Sequence, residues 1–117
     1  MVKEQQDFTV FSKNHMIMSV SVVDDNDAPV NLGGYSDIKW FMLERPTSVN
    51  YEITKSLTSG IAVTDAANGI FTVELSSSDM ASTSGSYYHE AVLIDPASQS
   101  YTIMVGTVKV KKSAYDR

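Results

Sequence analysis

The side chains with the means to do chemistry gather in three places. The first is DDND, residues 24–27, three carboxylates and an amide in a row. Hard cations such as calcium take several oxygens at close range, and clustered Asp and Asn provide them. The stretch lacks the D-x-[DN]-x-[DN]-G phase and the later glutamate that complete a calcium loop, and Asp and Asn also reverse a chain by bonding their own backbone. DDND is therefore expected to be a solvated turn, with no metal. The second place is the pair of histidines, His15 and His89. They fall in different predicted elements, with no i, i+4 partner and no thiolate to complete a zinc shell. His89 precedes Glu90, yet neighbours on a strand project to opposite faces, so the two do not share a proton path; His89 is expected on the exposed sheet surface. The third is the aromatic set, six tyrosines, four phenylalanines and Trp40. Tyr87 and Tyr88 are adjacent, so one faces out while the other packs. With Tyr35 they form the candidate interaction surface, because exposed aromatics suit protein or carbohydrate contacts. There is no G-x-S-x-G elbow, no glycine-rich phosphate loop and no triad. No catalytic, cofactor-binding or metal residue is assigned, and the chain is not expected to be an enzyme.

Composition narrows the partners. At 117 residues the chain fits one domain that buries roughly two-thirds of its unfolded surface, enough to fold without a metal or disulfide. A hydrophobic fraction of 43% against 20% charged residues is the balance of a packed globular protein, far from that of disordered chains. The net charge of −5 has the wrong sign for neutralising phosphates, so nucleic acid is not an expected partner. Positive residues gather in KVKK at 109–112, where a basic end blunts edge-to-edge strand pairing. With no cysteine, thiolate chemistry is excluded. The N-terminus has no signal-like apolar core and no window is apolar enough to span a bilayer, so a soluble protein made in the cytosol is expected, with no membrane contact.

The elements that must position these residues are strands. FTVF at 8–11 opens the first, and in MIMSVSVV at 16–23 Met16, Met18, Val20 and Val22 share one face while Ser19 and Ser21 take the other. Ile38, Trp40 and Met42 alternate along the next strand, with Trp40 as core anchor. VNYEITKSL at 49–57 has the pattern of a half-exposed strand, and the Ala67-Asn68-Gly69 turn separates IAVTD from GIFTVEL, where Phe71, Val73 and Leu75 face one way. SSSDMASTSG at 76–85 breaks the pattern with a short helical crossover near 77–82. SYYHEAVLID at 86–95, with Tyr88, Glu90, Val92 and Ile94 on one side, and YTIMVGTVKV at 101–110 complete the set around the Asp-Pro turn of DPASQS. Seven to eight short strands with turns every 8–15 residues predict an all-β, antiparallel β-sandwich, with a small barrel as the other arrangement.

The order of strands and turns resembles a family of phage virion domains: the immunoglobulin-like module at the N-terminus of siphophage baseplate upper proteins, and short stand-alone phage proteins carrying the same module. The matching parts are VSVVDDNDAPVNLGGYSDIKWFML, then TDAANGIFTVEL, then SGSYYHEAVLIDPASQSYTIMVGTVKV. They run from about Phe8 to Val110 and depart at GGY, where the family has Thr-Gly, and at the long ERPTSVNYEITK connection. The resemblance implies an immunoglobulin-like sandwich over 8–112, flanked by an N-terminal arm at 1–7 and a C-terminal tail at 113–117. It further implies a virion structural protein, made in the host cytoplasm, that docks with other virion proteins in a symmetric homo- or hetero-oligomer at the tail, baseplate or fibre attachment. A capsid decoration or head-fibre protein is the alternative, and a carbohydrate-binding module that of another class. The expected core is Val20, Val22, Leu32, Ile38, Trp40, Phe71, Val73 and Leu75. Gly33 and Gly34 are expected to let the chain swing where a Cβ would clash.

Overall fold

Period-two spacing of apolar residues produces nine strands in the computed structural model, which describes residues 4–81 and 83–114. They are β1 (Glu4–Gln5), β2 (Phe8–Phe11), β3 (Met16–Ser21), β4 (Asp37–Leu43), β5 (Ile53–Leu57), β6 (Gly60–Asp65), β7 (Ile70–Leu75), β8 (Gly85–Ile94) and β9 (Ser100–Lys111). Since β1 and β2 both run parallel along β9, they are two parts of one interrupted strand, which makes eight in all. Hydrogen bonds connect them in the order β9-β8-β4-β5-β6-β7-β3, with β1 and β2 on the outer side of β9. The β5–β6 junction is a parallel contact of two residue pairs, Ser56 with Gly60 and Leu57 with Ile61. At that narrow join the path turns over, and β9-β8-β4-β5 lies against β6-β7-β3 with one shared core. The remaining ladders are antiparallel, and the result is an all-β sandwich.

The core is the inward half of each alternation. Val20, Val22, Leu32, Ile38, Trp40, Phe71, Val73 and Leu75 are all buried, joined by Met18, Met42, Leu93, Met104 and Val108. Burying each such side chain contributes about 1.5–3 kcal/mol against leaving it in water. Met16 packs against this core from its edge while Ser19 and Ser21 are exposed, as the alternation predicts.

Several local expectations need correction. Residues 77–81 form turns rather than a helix: Ser76 Oγ accepts from Asp79 N at 3.1 Å, and Asp79 Oδ2 accepts from Ser76 N at 2.8 Å. This reciprocal capping ties the turn shut, and Met80 drops from it into the core. A 3₁₀ turn forms instead at Leu32–Gly34, whose preceding Asn31 side chain accepts from Gly33 N. Neither Gly33 nor Gly34 has a positive φ; Gly34 has open space where a Cβ would stand, so no clash excludes a side chain there, whereas a Cβ on Gly33 would crowd the capping Asn31 Oδ1 at 3.2 Å. The glycine requirement falls on Gly69, at φ +69° with Val22 O and Val30 O 2.6 and 2.7 Å from where a Cβ would stand. Residues 49–52 are not strand, so β5 is the second half of the predicted one. Val49 is 91% exposed there, with no neighbouring strand to satisfy its backbone.

The N-terminal arm is also more integrated than expected. Residues 1–3 lie outside the described residues, but Glu4–Gln5 pair with β9 and Gln6 N donates to Val105 O at 3.0 Å. Asp7 Oδ1 then accepts from Thr107 N at 2.8 Å, a side chain standing in for the ladder where β1 and β2 are interrupted. Gly106 makes the close approach possible, since a Cβ there would overlap Gln6 O. Because β2 covers Val108–Lys111, the basic end of β9 is not a sheet edge; Lys109 and Lys111 are exposed but guard no unpaired ladder. Of the predicted tail, Ser113 N donates to Ser12 Oγ at 3.1 Å, and residues 115–117 lie outside the described residues.

Candidate docking surface

β4 and β8 pair antiparallel over seven residues, from Asp37 opposite Ile94 to Leu43 opposite Tyr88. Their two faces have opposite contents. Inward, Trp40 sits opposite Ala91, whose small side chain leaves room for the indole, and His89 is the diagonal neighbour. Trp40 Nε1 donates to His89 Nδ1 at 3.1 Å, and His89 Nε2–H donates to Gln6 O at 2.6 Å. Both ring nitrogens are thereby engaged by a neutral imidazole, with the edge of Phe8 packed on it at 5.5 Å between centroids. Burial lowers the His89 pKa, opposed by the Gln6 carbonyl and the charge of Asp7. His89 is fully buried, so its expected exposed position is wrong: the phase Tyr87, His89, Ala91, Leu93 faces the core, and Tyr88, Glu90, Val92, Ile94 face out.

Outward, Phe41, Leu43, Tyr88 and Glu90 share the opposite face of the same strands. Tyr51 joins them from the 44–52 connection, which Arg45 N to Ser48 Oγ (3.1 Å) and Ser48 N to Arg45 O (3.1 Å) hold as a turn. Glu52 N then returns to Met42 O at 2.8 Å. Tyr51 stacks on Phe41 with centroids 4.8 Å apart and 24° between planes, and remains 57% exposed. Tyr88 donates its hydroxyl proton to Glu90 Oε1 at 2.6 Å; burial and that carboxylate push the phenol pKa up to about 12. Between these residues lies an open hollow of about 230 Å³, lined by Phe41, Leu43, Pro46, Ser48, Tyr51, Tyr88 and Glu90. A second, of about 240 Å³, shares Pro46 and Tyr88 and continues past Glu44, Arg45, Tyr87 and Thr107.

The other sheet presents a different exterior. Along β3 and β7 the outward register places Ile17 opposite Glu74 and Ser19 opposite Thr72, and Ala62 follows on β6. Ile17, at 55% exposed, and Val63 on β6, at 36%, are its large apolar exceptions. A third hollow, of about 350 Å³, sits beside the 76–81 turn and is polar, lined by Lys55, Glu74 and Asp79 among others. Lys55 Nζ meets Asp79 Oδ2 there at 2.8 Å. Burial raises the Asp79 pKa, but the bonds from Lys55 and Ser76 outweigh it and hold it below the usual value. This pair fastens the turn to β5.

The three tyrosines of the predicted surface do not come together. Tyr35 lies two residues before β4 at its Ile94 end, edge-on to Tyr101 at 6.3 Å, and Tyr88 is six residues along β8, about 20 Å away at strand spacing. Tyr87 packs against the core and its hydroxyl accepts from Ser84 N. Tyr88 alone joins the outward cluster, with Phe41, Tyr51 and Glu90, which sequence reasoning did not assign. The available signal was Phe41, out of phase with the core anchor Trp40. DDND is a turn in which Asp24 Oδ1 accepts from Asn26 N and Ala28 N at 2.8 and 3.0 Å. His15 Nε2 meets Glu74 Oε2 at 2.7 Å on the exposed surface. Among the described residues, no group of three His, Asp or Glu side chains is placed to hold a metal ion, and no helix is long and apolar enough to cross a membrane.

Layer order, core and paired faces define a sandwich of the immunoglobulin and fibronectin type III kind. Among solved structures, fibronectin(III)-like modules of CbhA from Clostridium thermocellum superpose with a TM-score of 0.51 at 9% identity, covering 97% of this chain and 99% of that one. At that identity the likeness is one of fold. No protein-family model and no curated protein matches the sequence.

Proposed function

We propose that the chain is a bacteriophage virion structural protein, a non-catalytic immunoglobulin-like sandwich that docks onto an oligomeric assembly at the tail, baseplate or fibre attachment. The sequence resemblance supports the virion setting, and the sandwich fold agrees with it. The single observation that carries docking is the outward cluster on β4 and β8. Phe41, Tyr51 and Tyr88 stand together at the surface, whereas the β3–β7 exterior is mostly Ser, Thr and Glu. Clustered aromatics that solvent reaches are the usual anchors of protein interfaces. Repetition by symmetry then adds avidity that one modest hollow lacks.

Quantitative mass spectrometry of purified particles tests this. The protein is expected at a fixed copy number matching the symmetry of a tail component. A number matching the capsid lattice would move the module to the head, and absence from particles would defeat the virion assignment.

A further inference from the structure

The hollow beside Tyr51 has a chemistry more specific than an apolar docking face, and any ligand assigned to it rests on the docking function proposed above. Phe41, Tyr51 and Tyr88 form its walls and Glu90 is its one charged group; no lysine or arginine lines it. Tyr88 fixes the carboxylate by donating to Oε1, and Oε2 receives no hydrogen bond from any described residue. An acidic or purely apolar group entering here would strip water from Glu90 and give nothing in return, and a neutral donor would return one hydrogen bond without an opposite charge. A cation would be drawn to the negative faces of the rings and to the carboxylate together. Of the two basic side chains, arginine fits both surfaces: its planar guanidinium stacks on an aromatic ring while its forked N–H donors meet carboxylate oxygens.

We propose that this hollow seats an arginine side chain presented by the neighbouring virion subunit, with the guanidinium over Tyr51 and against Glu90. Glu52, exposed beside Tyr51, and the net charge of −5 add potential of the same sign; the opposing charge on this face is Lys39, two residues before Phe41 on β4 and outside the lining of the hollow. Arg45 lies in the adjoining hollow, across Pro46, so the selectivity belongs to the Tyr51 side.

The test is an NMR titration of the full chain with the peptide Ac-Gly-Arg-Gly-NH₂, its citrulline counterpart and maltotriose. The arginine peptide is expected to shift the amides of Phe41, Tyr51, Tyr88 and Glu90, with binding about tenfold tighter than the neutral citrulline peptide and weakened by salt. Glu90→Gln should abolish that preference with an unchanged melting temperature. Equal response to arginine and citrulline, shifts confined to other surfaces, or maltotriose occupying the hollow would each overturn the proposal. In particles, Glu90→Gln should be depleted. Its retention at wild-type copy number would overturn the arginine seat while leaving the virion assignment intact. Wild-type protein missing from particles would defeat that assignment, and the peptide titration would still decide the seat.

Discussion

On the inward face of β4 and β8, Trp40 and His89 commit their polar atoms to the protein itself, the indole N–H to His89 Nδ1 and the imidazole Nε2–H to Gln6 O. One residue away in each strand, on the outward face, Phe41 and Tyr88 stand beside an exposed Tyr51 and a glutamate with one oxygen that no described residue bonds. The two faces are similar in aromatic content and opposite in what they leave unsatisfied. The inward set links β4, β8 and the N-terminal strand, across sequence separations of 49 and 83 residues. The outward set joins only neighbours on one face, β4, β8 and the 44–52 turn, and leaves Tyr51 open to solvent.

Substitutions should therefore separate fold from docking. Trp40→Ala is expected to cost the most, about 3–5 kcal/mol, through the cavity it leaves and the loss of the proton donor to His89. Denaturant unfolding measures it, and unchanged melting would mean the indole is no anchor. His89→Phe keeps a ring in place but strips partners from the Trp40 N–H and the Gln6 carbonyl, at about 1–3 kcal/mol for each group left unsatisfied.

Acid should act through the same inward site. The folded pKa of His89 lies below the ordinary 6.5, so in the window between the two values the unfolded chain binds the extra proton. Stability from this group is intact above that unfolded value and declines as pH falls toward the folded one. A proton on Nδ1 would also face the Trp40 N–H donor. Thermal melts across this window should drop for wild type and flatten for His89→Phe; parallel curves would place the acid sensitivity elsewhere. The Asp79 pair acts at lower pH, since its contribution is present above the ordinary 3.8 and is lost only as acid passes below it.

Outward changes should be smaller. Tyr51→Ala removes the stack on Phe41 and is expected to cost about 0.5–1.5 kcal/mol. Thr72→Lys, on the exterior of the other sheet, should stay within about 0.5 kcal/mol. A Tyr51 variant as unstable as the Trp40 variant would erase the distinction between the faces.

Sequence periodicity made the inward half of this comparison largely legible, because period-two spacing is local. Val20, Val22, Trp40, Phe71, Val73 and Leu75 follow from it directly. The β8 phase was not decided that way, since SYYHEAVLID carries apolar residues in both alternations. Val92 outside is nearly as buried as Leu93 inside, at 9% against 0%. A histidine becomes a core residue only when partners satisfy both nitrogens, and those partners come from Trp40 and Gln6, far off in the chain. The outward cluster was hidden for a related reason: Tyr51 reaches Phe41 only after the 44–52 turn, where a continuous strand from 49 was expected. The tyrosine pair at 87–88 did announce one inward and one outward ring, and Tyr88 is the outward one.

The central claim is that the β4–β8 exterior is the docking face, and copy number in assembled particles tests it most directly. Two folded variants are compared, one with Tyr51 and Tyr88 changed to Ala, the other with Ser19 and Thr72 changed to Lys. The first should melt like a folded protein yet be missing from purified particles, while the second is incorporated at the wild-type ratio. Incorporation of the first together with loss of the second would contradict the claim and move the interface to the β3–β7 side.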